Sequence, residues 1–232
     1  MYNDFVFGKD LFLKTDHPVA TDSEDAWSPP VAEDQPTDYF GKPLSFVCDF
    51  WSGEQFARDL LAMRPGKDRL LDLGTATGSV PLTMRRAGMR ALGLDGLDAG
   101  KKGEIEPRML RGREALFAWR EAPEIVDCCD ITKPFRIEDA SGALVKFDFI
   151  ISTDCFEHLV TERVPQMLDN VHDHLADDGF GIFEISTGAF AHIHQTVRPI
   201  EWWRDVLLTR FVIDDHFSQR DFAYVRSRVK DR

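Results

Sequence analysis

The chain has 232 residues, enough to bury one sizeable core and too few for two full domains. Its 28 Lys and Arg stand against 40 Asp and Glu, and the net charge of −12 disfavours a nucleic-acid partner. No apolar run approaches the ~20 residues that span a bilayer, and the polar start MYNDFVFGKD is unlike a secretory signal, so no membrane partner and a cytoplasmic location are expected. The four cysteines, Cys48, Cys128, Cys129 and Cys155, lack the C-x-x-C spacing of a zinc knuckle and read as buried thiols.

In chain order, residues 1–37 are rich in Asp, Glu, Ser, Thr and Pro and read as a loop-like N-terminal extension. The functional alternative is a lid over bound substrate that uses Phe5, Phe7, Phe12 and Trp27. Residues 38–232 form one domain. Within 44–63, Phe56, Leu60, Leu61 and Met63 recur at helical spacing before the Arg64-Pro65-Gly66 stop. The aromatics upstream, Tyr39, Phe40, Phe46, Phe50 and Trp51, read as core or as a substrate mouth.

Residues 69–99 organise the rest. A short apolar strand, 69–73, meets a turn bounded by Gly74 and Gly78; a helix over 80–87 closes at Gly88; a second strand, 91–94, ends at Asp95, 21 positions after Gly74. A βαβ unit brings these two strand ends together. Small residues then let backbone N–H groups approach a nucleotide-like ligand, and the carboxylate accepts from a ribose diol. A dinucleotide fingerprint would have glycine at 74, 76 and 79, whereas this chain has Gly74, Ala76 and Ser79, so NAD fits poorly.

The order Asp72-Leu73-Gly74-Thr75-Ala76-Thr77-Gly78, with Asp95 after it, resembles the first motif of the class I S-adenosylmethionine-dependent methyltransferases. Ala76 stands where that family usually has glycine, the mildest departure a side chain can make. The resemblance implies that S-adenosylmethionine is the cofactor. It further implies that Asp72, Gly74, Thr75, Ala76 and Gly78 form its methionine loop and that Asp95 and Gly96 hold the ribose. It also implies the fold: an α/β, Rossmann-like, seven-stranded, mostly parallel sheet with helices on both faces and a terminal antiparallel strand.

After Asp95 a polar stretch leads into a helix over about 107–120. Lys101, Lys102, Arg108, Arg111 and Arg113 form the one basic concentration, read as a solvated face or as a contact for an anionic substrate. A third strand, 124–129, runs into Asp130-Ile131-Thr132-Lys133-Pro134-Phe135, which resembles the family's adenine loop. Asp130 would accept from the exocyclic amine and Ile131 would stack on the ring, the alternative for Asp130 being a turn cap. The fourth strand, 147–152, leads to Thr153-Asp154-Cys155-Phe156-Glu157-His158-Leu159, similar to the family's fourth motif, which places Thr153 beside the sulfonium. Glu157 reads better as a cap for the next helix, and for His158 capping and function are balanced.

A helix over 164–175, stopped by Asp177-Asp178-Gly179, precedes a fifth strand at 180–185. The loop 186–199 then carries His192, His194, Gln195 and Arg198 to the carboxyl edge, where loops choose substrates. His192-x-His194 also has metal-ligand spacing, yet no third ligand stands near it, and no metal is expected. A helix over 200–208 and strands at 211–214 and 222–229 close the chain. The resemblance covers roughly residues 66–229.

Methyl transfer from a sulfonium mainly requires alignment, and a hydroxyl acceptor also needs a base. His194 is the first candidate, with His158 and His192 behind it and Gln195 and Arg198 orienting the acceptor. The expected reaction is O-methylation of a small molecule, a sugar, sugar nucleotide or other natural-product precursor, with a homodimer left open. Two other classes compete: a non-catalytic cofactor-binding partner protein, and a nucleic-acid methyltransferase. The latter favours Asn/Asp-Pro-Pro-aromatic after the fourth strand, where this chain has Ser152-Thr153-Asp154-Cys155-Phe156.

Overall fold

A computed structural model describes residues 5–19, 54–96, 101, 118–187, 194–219 and 222–229. Five strands run parallel: β2 (Arg69–Leu73), β3 (Arg90–Asp95), β4 (Val126–Cys128), β6 (Phe147–Thr153) and β7 (Leu175–Ser186). The antiparallel β8 (Phe211–Gln219) and β9 (Phe222–Val229) complete a seven-stranded sheet of order β4-β3-β2-β6-β7-β9-β8. The chain order reverses at β2, so the crevice between the carboxyl ends of β2 and β6 is the switch point at which such sheets bind ligands. The fold expected from the sequence is the one observed.

Near-continuous apolar strands need cover on both faces. Leu70, Ala91, Phe149 and Ile151 bury one face against α1 (Glu54–Met63) and α2 (Ser79–Arg86), through Ala57, Leu60, Val80 and Met84. The alternate residues Leu71, Leu92, Ile150 and Phe183 pack in a second core. That core takes Met167, Leu168 and Val171 from α4 (Val164–His174) and Trp203 and Leu207 from α5 (Ile200–Leu207). A short helix, α3 (Ala118–Glu121), lies between β3 and β4; the rest of the helix expected over 107–120 is outside the described residues.

Several boundaries differ from expectation. Residues 5–19 are not loop throughout: β1 (Leu11–Thr15) pairs antiparallel with β5 (Phe135–Asp139), a strand unread in the sequence. Phe5 is buried in the core, edge-on to Phe147, and Trp27 is outside the described residues. The third strand starts at Val126 because Pro123 opens a 3-10 turn, and β8 runs on past 214. Asp177-Asp178-Gly179 does not end a helix. Instead α4 stops at His174, Leu175 already pairs with Phe147, and the segment bulges before Phe180 pairs with Phe149. Arg64 and Lys67 hold Asp178 in the bulge, and a Cβ at Gly179 would stand 2.9 Å from the Asp148 carbonyl. Among the described residues no helix is long and apolar enough to cross a membrane.

Candidate active site at the carboxyl edge

The glycine loop leaves β2 and is closed by its own backbone. Gly74 and Thr75 N–H donate to the Leu94 carbonyl at 2.9 and 3.0 Å, and Gly78 N–H donates to Thr75 at 2.8 Å. Gly74 has φ +78°, and a Cβ there would lie 2.7 Å from that of Cys155 and collide with its sulfur. Gly78 has φ +72°, with a Cβ position 2.5 Å from that of Ala118. Both glycines therefore serve close packing. Ala76 sits at φ +48°, a left-handed conformation that costs an L-residue about 1 kcal/mol, which accounts for glycine being usual there. Its N–H donates to Asp95 Oδ2 at 2.7 Å, and its carbonyl accepts from Trp119 Nε1 at 2.7 Å. These bonds hold the strained residue in place.

Asp72 is buried beneath this loop, and burial, with the nearby Asp95 carboxylate, raises its pKa to about 7, although the Thr75 hydroxyl opposes the shift. Asp95 ends β3, with Gly96 half-buried after it. Cys129 N–H donates to the Asp95 carbonyl at 2.8 Å, which brings the β4 exit alongside. There Asp130 is buried, and its Oδ1 accepts from Thr132 N–H at 2.9 Å and from the Thr132 hydroxyl at 2.6 Å, as a turn-forming aspartate does. Ile131 is buried too, and its carbonyl accepts from Asn170 Nδ2 at 2.9 Å.

The other half of the edge is titratable. Half-buried Thr153 ends β6; Asp154 follows at φ +54°, buried, with its N–H donating to the Glu184 carbonyl of β7 at 3.1 Å. A 3-10 turn, Phe156–His158, comes next. Glu157 does not cap a helix: it is fully buried and its Oε1 accepts from Ser186 N–H at 3.1 Å, joining the ends of β6 and β7. Burial and the Asp154 carboxylate push it well above the usual carboxylate range. Thr196 N–H donates to the Glu157 carbonyl at 2.9 Å, and this bond turns the 194–196 segment inward. His158 and His194 are both buried there, with rings edge to face and centroids 4.8 Å apart.

His192 lies outside the described residues. Gln195 and Arg198 are exposed, and the Arg198 guanidinium stands 5.9 Å over the Trp202 ring. Lys101 pairs with Asp127, while the rest of the basic concentration and the 39–51 aromatics lie outside the described residues. No disulfide joins the described cysteines; burial pushes Cys129 up to about 12 and Cys155 well above the ordinary thiol value. Sequence spacing does not reveal Trp119, Asn170 and Glu184, since each meets a partner far away in the chain.

A strained loop tied to an acidic residue at the switch point, with a buried polar edge beside it, fits a nucleoside-bearing cofactor. A family profile described as a methyltransferase domain matches residues 51–224. The chain belongs to the class I S-adenosylmethionine-dependent methyltransferases, and S-adenosylmethionine is its cofactor.

A TehB-like methyltransferase of Corynebacterium glutamicum is 19% identical, with 78% of this chain and 89% of that one covered and a TM-score of 0.54. A methyltransferase of Clostridium acetobutylicum is 13% identical, with 81% and 96% covered and a TM-score of 0.56. The N-methyltransferase NodS of Bradyrhizobium japonicum, solved with S-adenosyl-L-homocysteine, is 15% identical, with 85% and 95% covered and a TM-score of 0.52. These likenesses carry the fold. Among curated proteins none matches.

Proposed function

We propose that this enzyme methylates a hydroxyl of a small molecule, a sugar, sugar nucleotide or natural-product precursor. The observation that carries the reading is the buried pair His158 and His194, contributed by the loops after β6 and β7. S-adenosylmethionine supplies a methyl group activated by its sulfonium, so the protein's work is alignment and control of one proton. Thr75, Ala76 and Gly78, with Asp72 behind them, hold the methionine end. Asp95 and Gly96 would hold the ribose, Asp130 and Ile131 would hold the adenine, and Thr153 would face the sulfonium end. His194 takes the acceptor's proton and His158 stands against it, with His192, two positions earlier in the chain, as a further candidate. A neutral imidazole suits this role near pH 7. Gln195 and Arg198 orient the acceptor from the exposed rim.

The test is a screen of hydroxyl-bearing acceptors, beginning with sugars and sugar nucleotides, run alongside titration with S-adenosylhomocysteine. His194→Ala is expected to lower kcat by about a hundredfold or more while leaving cofactor affinity within twofold, as loss of a general base does. Full turnover by that variant would remove His194 from the role. Methylation confined to amines would replace the hydroxyl with nitrogen as the acceptor atom.

A further inference from the structure

We propose that Glu157, His158 and His194 form a binding site for one divalent transition-metal cation, of the zinc class, at the acceptor edge. One ligand atom from each lies within 4.8 Å of the other two, and all three residues are buried. Two imidazoles and one carboxylate make a three-ligand set that leaves a fourth position open, as catalytic zinc sites do. Donors bound at ~2.0–2.1 Å stand roughly 3.4 Å apart around a tetrahedral ion, so closure asks for movements of about 1 Å, within side-chain reach.

A second observation points the same way. Glu157 is fully buried, its Oε1 is fixed by Ser186 N–H, its Oε2 accepts from no N–H among the described residues, and the Asp154 carboxyl group stands beside it. A buried carboxylate oxygen in that condition is costly, and a cation between it and two histidines removes the cost. The Ser186 bond also does what outer contacts do at metal sites, orienting a ligand before the ion arrives. Thr196, which bonds the Glu157 carbonyl through its N–H and the Leu159 carbonyl through its hydroxyl at 2.6 Å, sets the segment that carries His194. The open position takes an oxygen ligand, and the proposed hydroxyl acceptor supplies one; with the ion bound, His194 would hold the metal, and the cation would acidify the hydroxyl in place of the free imidazole. This last step rests on the proposed function; metal binding itself does not.

The experiment uses the full chain, stripped with a chelator, then titrated by calorimetry with Zn²⁺ alone and by visible absorption with Co²⁺ alone. Expected are one saturable site of micromolar affinity or tighter and the intense cobalt absorption of a low-coordinate nitrogen and oxygen site. His158→Ala, His194→Ala and Glu157→Gln should each weaken binding about tenfold or more, while His172→Ala on α4 leaves it unchanged. S-adenosylhomocysteine titration of every variant reports that the fold is intact. Absence of saturable binding overturns the inference, as does equal binding by all the variants, which would mark surface adsorption. Methyl transfer by metal-free enzyme at full rate overturns the step in which the acceptor binds the ion. Metal binding by a protein that ignores S-adenosylhomocysteine would instead overturn the methyltransferase reading.

Discussion

The two halves of the carboxyl edge solve the same problem by opposite means. Each follows one of two adjacent strands, β2 and β6, and each holds one non-glycine residue in the left-handed region, Ala76 at φ +48° and Asp154 at φ +54°. On the cofactor side, consecutive backbone groups of the glycine loop bond one another, β3 and a single carboxylate oxygen. On the acceptor side, Asp154, Glu157 and His158 from the turn after β6, Glu184 from the end of β7 and His194 from the loop after β7 are all buried. The first is a rigid cradle made by local geometry; the second is a buried polar cluster assembled from segments far apart in the chain.

The largest effect that would break this comparison lies where the halves touch. Gly74→Ala adds a left-handed alanine and a clash with Cys155. The two costs, about 1–2 and 1–3 kcal/mol, should lower unfolding free energy by ~3 kcal/mol in urea titrations. A loss below ~1 kcal/mol would mean that the acceptor-side loop yields and the cradle is not rigid.

A third buried histidine supplies a contrast of similar size. His174 Nε2 accepts from Ile137 N–H at 3.0 Å, Nδ1 lies 2.8 Å from the Asn170 carbonyl, and the ring stacks on Phe135, so this histidine is structural. Burial lowers its pKa to about 4. The unfolded chain, with an ordinary value near ~6.5, then binds the proton first. Its contribution is full above that value and is lost as pH falls through 4, about 3 kcal/mol in all. Asp72, raised to about 7, runs the other way and adds stability as pH falls. The measurement is therefore a difference: urea unfolding from pH 7 to 4 for the wild type against His174→Gln, with the wild type losing about 3 kcal/mol more. Parallel curves would sink the assignment.

A smaller effect tests the cradle's acidic anchor. Asp95→Ala removes both the bond to Ala76 and the proposed ribose contact, and should raise the S-adenosylhomocysteine Kd about tenfold to a hundredfold, ~1.5–3 kcal/mol. An unchanged Kd by calorimetry would leave Asp95 a purely structural residue.

The cradle was legible because its signals are sequential: glycine spacing, an apolar strand on each side and an acid at the second strand's end all lie within 69–95. The acceptor edge was not. The His192-x-His194 spacing shows no third ligand beside it in the chain, whereas Glu157 and His158 reach His194 from the neighbouring strand end, through Ser186 and Thr196. Glu157 suggested a helix cap because capping is local; its burial depends on β7 lying beside β6. Likewise β1 and β5 are short and pair over more than a hundred residues, without a hairpin turn to announce them. The bulge at Asp177-Asp178-Gly179 carries stop-signal residues, and only the register of β6 against β7 turns them into strand.

Asp130 is the residue at which the sequence and the structure point to different work, and the smallest of these effects separates them. Its Oδ1 is committed to Thr132, which is a turn role, while the adenine reading needs its other oxygen to accept from an amine. Asp130→Asn distinguishes the two because an asparagine oxygen still accepts from Thr132, but the second position becomes an N–H donor facing another donor. If the carboxylate meets the adenine, the variant keeps its melting temperature within a degree or two and binds S-adenosylhomocysteine about threefold to tenfold more weakly, ~0.7–1.4 kcal/mol, with inosyl analogues less affected. If the residue only forms the turn, affinity is unchanged in Asp130→Asn, and Asp130→Ala costs about 1 kcal/mol of stability through the lost turn bonds. The first outcome would extend the rigid cradle as far as β4; the second would end it at Asp95 and leave the adenine to apolar contacts around Ile131.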